Sequence, residues 1–170
     1  MSANLFLLTY PTRASRINGT RTHWALFIPS STTQTVGTLI QVLGTPFTGY
    51  GLEFKRNYNT STISERFTQH LLGEIDVEFA PHEEDVGTAS TSIDVNPRNE
   101  IEKVAKRVEV PGVSKEPLNP NVGRRCQEWT REVVEVLITK GILRDDSWQV
   151  LDSVKSLEIP SAGAVATSSG

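Results

Sequence analysis

THWALFIPSSTTQTVGTLIQVL, residues 22–43, sets two apolar runs either side of a connector rich in serine and threonine. The runs at 22–28 and 37–43 carry β-branched and aromatic residues, so each reads as a strand, and PSSTTQTV between them as a hairpin loop. Strand side chains alternate between faces. His23, Ala25 and Phe27 therefore share one face, and Trp24, Leu26 and Ile28 the other. One titratable group opens an apolar strand, and one amide, Gln41, interrupts the strand expected to pair with it.

Working outward, NLFLLTY (4–10) and GLEFKRNY (51–58) read as further strands. GTPFTGY (44–50) is a turn broken by Gly44, Pro46 and Gly49. ISERFTQHLLG (63–73) places Ile63, Phe67, Leu71 and Leu72 at helical spacing and stops on Gly73, which predicts a helix. EIDVEFA (74–80) alternates as a strand does, and the polar stretch 81–97 reads as a loop. RNEIEKVAKRV (98–108) puts Ile101, Val104, Ala105 and Val108 on one helical face.

After an irregular, proline-bearing segment at 111–123 comes the strongest helical pattern, 124–140, with Trp129, Val133, Val136 and Leu137 as its stripe. Lys140 and Gly141 mark its end. A short helix is expected over 147–157. Strands first and helices later predict an α+β fold, an antiparallel sheet packed against a long helix from the C-terminal half. Residues 1–158 are expected to form one domain and 159–170, low in complexity, a disordered tail.

Composition narrows the function. Apolar residues make up 37% and charged residues 22% of 170, and the formal charge is −3. The sequence pI is about 5.6. Basic clusters at 53–57, 103–107 and 123–126 are short, which argues against a nucleic-acid partner. No window reaches the roughly 18–20 apolar residues of a spanning helix. MSANLFLLTYP reads as a first strand, not a secretory signal, because Pro11 ends it and no basic residue precedes it. A lone cysteine forms no intrachain disulfide and fits a reducing compartment, the cytoplasm.

That cysteine, Cys126, opens the 124–140 helix. At a helix N-terminus, backbone N–H groups and the helix dipole favour thiolate over thiol and lower a reference pKa of about 8.5. Arg124 and Arg125 add positive charge. A thiol nucleophile needs a proton acceptor, and His23 on a rigid strand is the best-placed candidate. Gln41 is expected to orient the His23 ring through its amide oxygen. Trp24 and Trp129 are candidate pocket walls, and Lys55 and Arg56 candidate contacts for an anionic substrate. No metal-ligand spacing and no phosphate loop occurs, so no cofactor is expected. His70 reads as a surface residue, and His82 sits among Glu83, Glu84 and Asp85 without a defined site.

THWALFI, then GTLIQV, then CQEW opening a helix resembles the permuted papain-like superfamily, in which the histidine strand precedes the cysteine helix. Lecithin:retinol acyltransferase-like proteins show a comparable HWA strand, and NlpC-type peptidases share the fold in the reverse order. The pattern HWALF…LEFKRNY…CQEW is similar to that of small fungal proteins, some of which lie near secondary-metabolite genes. This resemblance implies Cys126 as nucleophile, His23 as base and Gln41 as third member, in a hydrolase or acyltransferase acting on a small molecule. It departs from the acyltransferase pattern at Gln41, where histidine is usual, and at Arg125, where asparagine is. Two other readings stand beside it: an enzyme that uses His23 for non-covalent cyclisation or isomerisation, and an inactive binding protein in which Cys126 is only packed.

Overall fold

The structure, a computed structural model, describes residues 2–11, 22–81 and 90–158. Six strands, β1 (Ser2–Tyr10), β2 (His23–Pro29), β3 (Val36–Thr45), β4 (Gly49–Asn59), β5 (Thr68–Asp76) and β6 (Ser92–Asp94), form one sheet. Its spatial order is β5–β1–β2–β3–β4–β6, and every pairing is antiparallel. The β2–β3 hairpin sets Leu26 opposite Ile40 and Phe27 opposite Leu39. Its loop is closed by the Ser30 hydroxyl, which accepts from the Thr33 N–H at 2.9 Å. Gly37 is required there, since a Cβ would stand 2.1 Å from the Ile28 carbonyl oxygen.

Alternation along the strands divides the apolar side chains between two faces. One face carries Leu5, Leu7, Trp24, Leu26, Ile28, Ile40, Val42 and Phe54, and the helices pack on it. The other carries Leu8, Tyr10, Ala25, Phe27, Leu39 and Tyr58, with Ile63 and Phe67 packed against them.

The expected fold, a sheet backed by one long helix, is not what the chain forms. It is mostly an antiparallel six-stranded sheet with three short helices, α1 (Glu100–Arg107), α2 (Cys126–Thr139) and α3 (Ser147–Glu158). The reason is geometric. The 14 residues of α2 span about 21 Å at the usual helical rise. Six strands at normal spacing are about 24 Å wide before their twist is counted. No single helix of that length covers such a face, and the cover is divided among three. Trp129, Val133, Val134 and Leu137 of α2 are fully buried, with Ile101, Val104 and Ala105 from α1 and Leu151 and Val154 from α3 beside them. Arg125 takes the N-cap of α2, and Gly141, at φ 76°, turns the chain out of it.

The helix predicted over 63–73 is also overturned. Residues 68–76 form edge strand β5 along β1. The register runs Leu5 to Gly73 and then Phe6 to Leu71, which leaves Leu72 as an inserted residue. A bulge of this kind breaks the alternation of a strand. That is why Leu71 and Leu72 mimic helical spacing, although Leu72 is buried and Leu71 is exposed. The strand expected over 74–80 ends at Asp76, and Val77–Phe79 form a 3₁₀ turn. Within the expected loop 81–97, Ser92–Asp94 pair with β4 as β6. Residues 82–89, with His82, and the tail 159–170 lie outside the described residues.

Arg56 locks this edge of the sheet. Its guanidinium donates to Glu102 at 2.8 and 2.9 Å, to Asp94 twice at 3.0 Å and to the Asn96 carbonyl at 2.9 Å. Burial works against the charge, but the bonds to Asp94 and Glu102 outweigh it and raise the pKa of Arg56. One side chain thus ties β4 to β6 and to α1.

Candidate active site

Antiparallel pairing collects a group of polar side chains on the sheet face opposite the helices. Tyr10 ends β1 and is the cross-strand partner of His23, which begins β2. Gln41 in β3 is the partner of Glu53 in β4. The His23 Nε2 and Gln41 Oε1 atoms are 2.7 Å apart, and Gln41 Nε2 donates to Glu53 Oε2 at 2.9 Å. Lys55 Nζ lies 3.8 Å from the same carboxylate. The Tyr10 ring lies 5.5 Å from the His23 ring, and the Tyr10 and Tyr58 hydroxyls are 3.0 Å apart.

The bonding fixes the chemistry of the ring. A carboxylate only accepts, so Glu53 must receive the Gln41 NH₂, and the Gln41 oxygen then faces His23. An amide oxygen also only accepts, so the neutral ring carries its proton on Nε2 and its basic lone pair on Nδ1. Gln41 is 0% exposed and His23 8% exposed, so this is an interior chain of hydrogen bonds, in which each is strengthened by low dielectric.

Cys126 is half-buried at the first residue of α2. Its neighbour Gln127 anchors the helix: Gln127 Nε2 donates to the Thr22 carbonyl at 3.0 Å, and Lys155 Nζ donates to Gln127 Oε1 at 2.7 Å. Thr22 is the residue before His23, so the cysteine end of α2 abuts the histidine end of β2. Arg125 at the N-cap has no acceptor atom to offer the first-turn N–H groups, whereas Ser or Asp would. The Arg125 N–H is itself received by Glu128 at 2.8 Å. The Arg125 guanidinium is buried and clamps the preceding loop through the Pro117 and Asn119 carbonyls at 3.2 and 2.6 Å. Arg124 is committed elsewhere, to Glu132 at 2.8 Å and the Glu109 carbonyl at 2.7 Å.

His23 and Gln41 are therefore brought together as the sequence predicts. Lys55 stands at the more exposed end of the same chain. Trp24 and Trp129 are 0% exposed within the main core. Arg56 is on the helix side, where its guanidinium is bonded to Asp94 and Glu102. His70 in β5 is partly buried, and that desolvation lowers its pKa. Sequence reasoning missed Glu53, Tyr10 and Gln127. Glu53 was within reach, since a turn pairing Thr45 with Gly49 also pairs Gln41 with Glu53.

Among the described residues, no cluster of three or more His, Cys, Asp or Glu side chains could hold a metal, and no helix is long and apolar enough to cross a membrane. Fold and site together define an antiparallel sheet protein with a buried imidazole–amide–carboxylate chain beside the start of a helix. The protein belongs to a family of unknown function (DUF6540), whose match spans residues 8–144 and so takes in His23, Gln41, Glu53 and Cys126. No curated protein and no solved structure matches it.

Proposed function

We propose that this protein is a thiol-dependent hydrolase or acyltransferase acting on an amide, ester or thioester of a small molecule. The observation that carries the reading is the His23–Gln41 bond at 2.7 Å, which leaves Nδ1 as the basic nitrogen of a ring held on a rigid strand. Cys126 gives its proton to Nδ1, and the thiolate attacks the acyl carbon. First-turn N–H groups of α2 receive the oxyanion. As the intermediate collapses, the bond to the leaving group breaks and the imidazolium protonates that group. Water, or an acceptor nucleophile in transfer, then attacks the acyl-cysteine and releases the thiol. No cofactor enters these steps, and a reducing, cytoplasmic compartment keeps Cys126 a thiol. The order of the histidine strand and cysteine helix, which resembles the permuted papain-like proteins, supports the same chemistry.

The test is the rate of iodoacetamide alkylation against pH, for wild type and His23→Ala. With one cysteine the readout belongs to Cys126 alone. The expected result is a titration well below about 8.5 that moves up when His23 is removed. An unreactive or unperturbed thiol would refute the proposal.

One observation favours a second reading. The His23 ring lies with Tyr10 on the face opposite the one on which α2 packs. In that reading His23 works as an acid–base group without a covalent step, so Cys126→Ser keeps turnover and His23→Ala abolishes it.

A further inference from the structure

We propose that Glu53 is a positioning residue that sets the tautomer of His23 from two side chains away, through Gln41. Only its consequence at Cys126 rests on the thiol chemistry proposed above. Gln41 is fully buried and spans the distance between ring and carboxylate with bonds of 2.7 and 2.9 Å. Its amide can be placed either way round, and its own shape does not choose. The choice is made at position 53. A carboxylate there has no proton to give, so it accepts the Gln41 NH₂ and forces the oxygen toward His23. The ring then holds its proton on Nε2 and its lone pair on Nδ1.

An uncharged amide at position 53 removes that constraint without removing either bond. It can accept from Gln41 as Glu53 does. It can equally donate to the Gln41 oxygen, in which case Gln41 donates to the Nε2 lone pair and the proton moves to Nδ1. Both arrangements keep the same two bonds among these three side chains, and they present opposite chemistry at Nδ1: a base in one, a donor in the other. Glu53 is suited to select between them because it is fixed in register, as the direct cross-strand partner of Gln41, and held by Lys55 on its outer side.

The experiment is nitrogen NMR of the His23 ring in ¹⁵N-labelled full-length protein, recorded above the ring's titration, for wild type, Glu53→Gln and the double variant Glu53→Gln/Gln41→Glu. The wild type is expected to show a single Nε2–H pattern. Glu53→Gln is expected to add the Nδ1–H pattern as a second state or a shift toward it. The double variant is expected to restore the single Nε2–H pattern, because the new carboxylate at position 41 can only accept from the ring. Loss of structure alone would not produce that restoration.

A wild-type ring protonated on Nδ1 would overturn the proposal, as would a Glu53→Gln ring that keeps one Nε2–H state. If Glu53→Gln fails to fold, Glu53→Ala is read in its place, since it too leaves the Gln41 amide without a carboxylate to orient it: a ring that keeps one Nε2–H state there overturns the proposal. Iodoacetamide rates on the same samples separate the two proposals. If His23 is the base for Cys126, the rate falls as the Nδ1–H fraction grows. Mixed tautomers with an unchanged rate would uphold the role of Glu53 and remove the thiol–imidazole pairing.

Discussion

Replacing Arg56 by methionine separates a structural strut from a substrate contact. The guanidinium makes five hydrogen bonds, four of them to carboxylates. The Glu102 side chain is 2% exposed, so without Arg56 its charge stays in the interior with only the Arg98 N–H at 2.9 Å and the Asn99 amide at 3.5 Å. Breaking a buried pair from one side costs about 3–5 kcal/mol. For a chain of this size each kcal/mol moves Tm by about 2–4 °C, so Arg56→Met is expected to lower Tm by about 6–20 °C. Adding Glu102→Leu removes the stranded charge and is expected to recover much of that loss, since apolar replacement of a buried pair is often near neutral.

Acid titration of stability gives a second readout of the same cluster. The hydrogen bond from Arg56 holds the Asp94 carboxyl below its ordinary value of 3.8. A depressed carboxyl pKa stabilises the fold above the unfolded value, and that contribution is lost as pH falls through the folded one. Arg56→Met is expected to abolish this part of the acid slope. The assay is thermal unfolding by circular dichroism from pH 7 to pH 2. A change in Tm below about 2 °C would refute the strut and return Arg56 to the list of candidate substrate contacts.

Burial lowers the pKa of His70 from its ordinary 6.5, so the folded protein binds fewer protons there than the unfolded chain. Stability linked to His70 is complete above about pH 6.5 and declines as pH falls toward the lowered value; His70→Gln flattens that decline, and an NMR midpoint at or above 6.5 would contradict it. At Gly37 the Cβ of an alanine meets the Ile28 oxygen at 2.1 Å and the Pro29 Cα at 2.5 Å, both backbone atoms of the adjacent strand. Gly37→Ala is expected to cost about 3 kcal/mol, the upper end for overpacking, measured as a lower urea midpoint; a shift under about 0.5 kcal/mol would contradict the close approach.

The parts of the fold legible in the sequence are those where one local rule acts alone. THWALFI and GTLIQVL are strands because alternation, β-branching and a hairpin connector agree, and they pair in the sheet. The 63–73 segment failed because two signals collided. Ile63 and Phe67 cover the second face from the β4–β5 connection, while the Leu72 bulge disturbs alternation within β5. Together they imitate a helix of period 3.6. The length of the helical layer was not legible either. Gly141 announced where α2 stops, but no feature of its sequence states how wide a sheet it must cover. Of the site, His23 and Gln41 were visible as polar residues in apolar strands. Glu53 looked like an ordinary strand-edge charge, because its role depends on a partner twelve residues away across a turn.

The two faces of the sheet differ in what they ask of a polar residue. On the helix side the charged Arg56 is matched by two carboxylates, an arrangement that fastens elements together and needs no ligand to explain it. On the other side Gln41 occupies a strand position where leucine would pack beside Leu39 with no hydrogen bond to satisfy. A buried amide there costs stability unless both its ends are bonded, and it is bonded at both, to two groups that have other protonation states. Breaks of the local pattern that carry a cost are expected at functional or strained sites. Both proposed chemistries require the ring of His23 to be held in one orientation with one tautomer, and only the covalent one requires Cys126. The imidazole–amide–carboxylate chain is therefore the firmer part of the site, and the thiol is the part that alkylation decides.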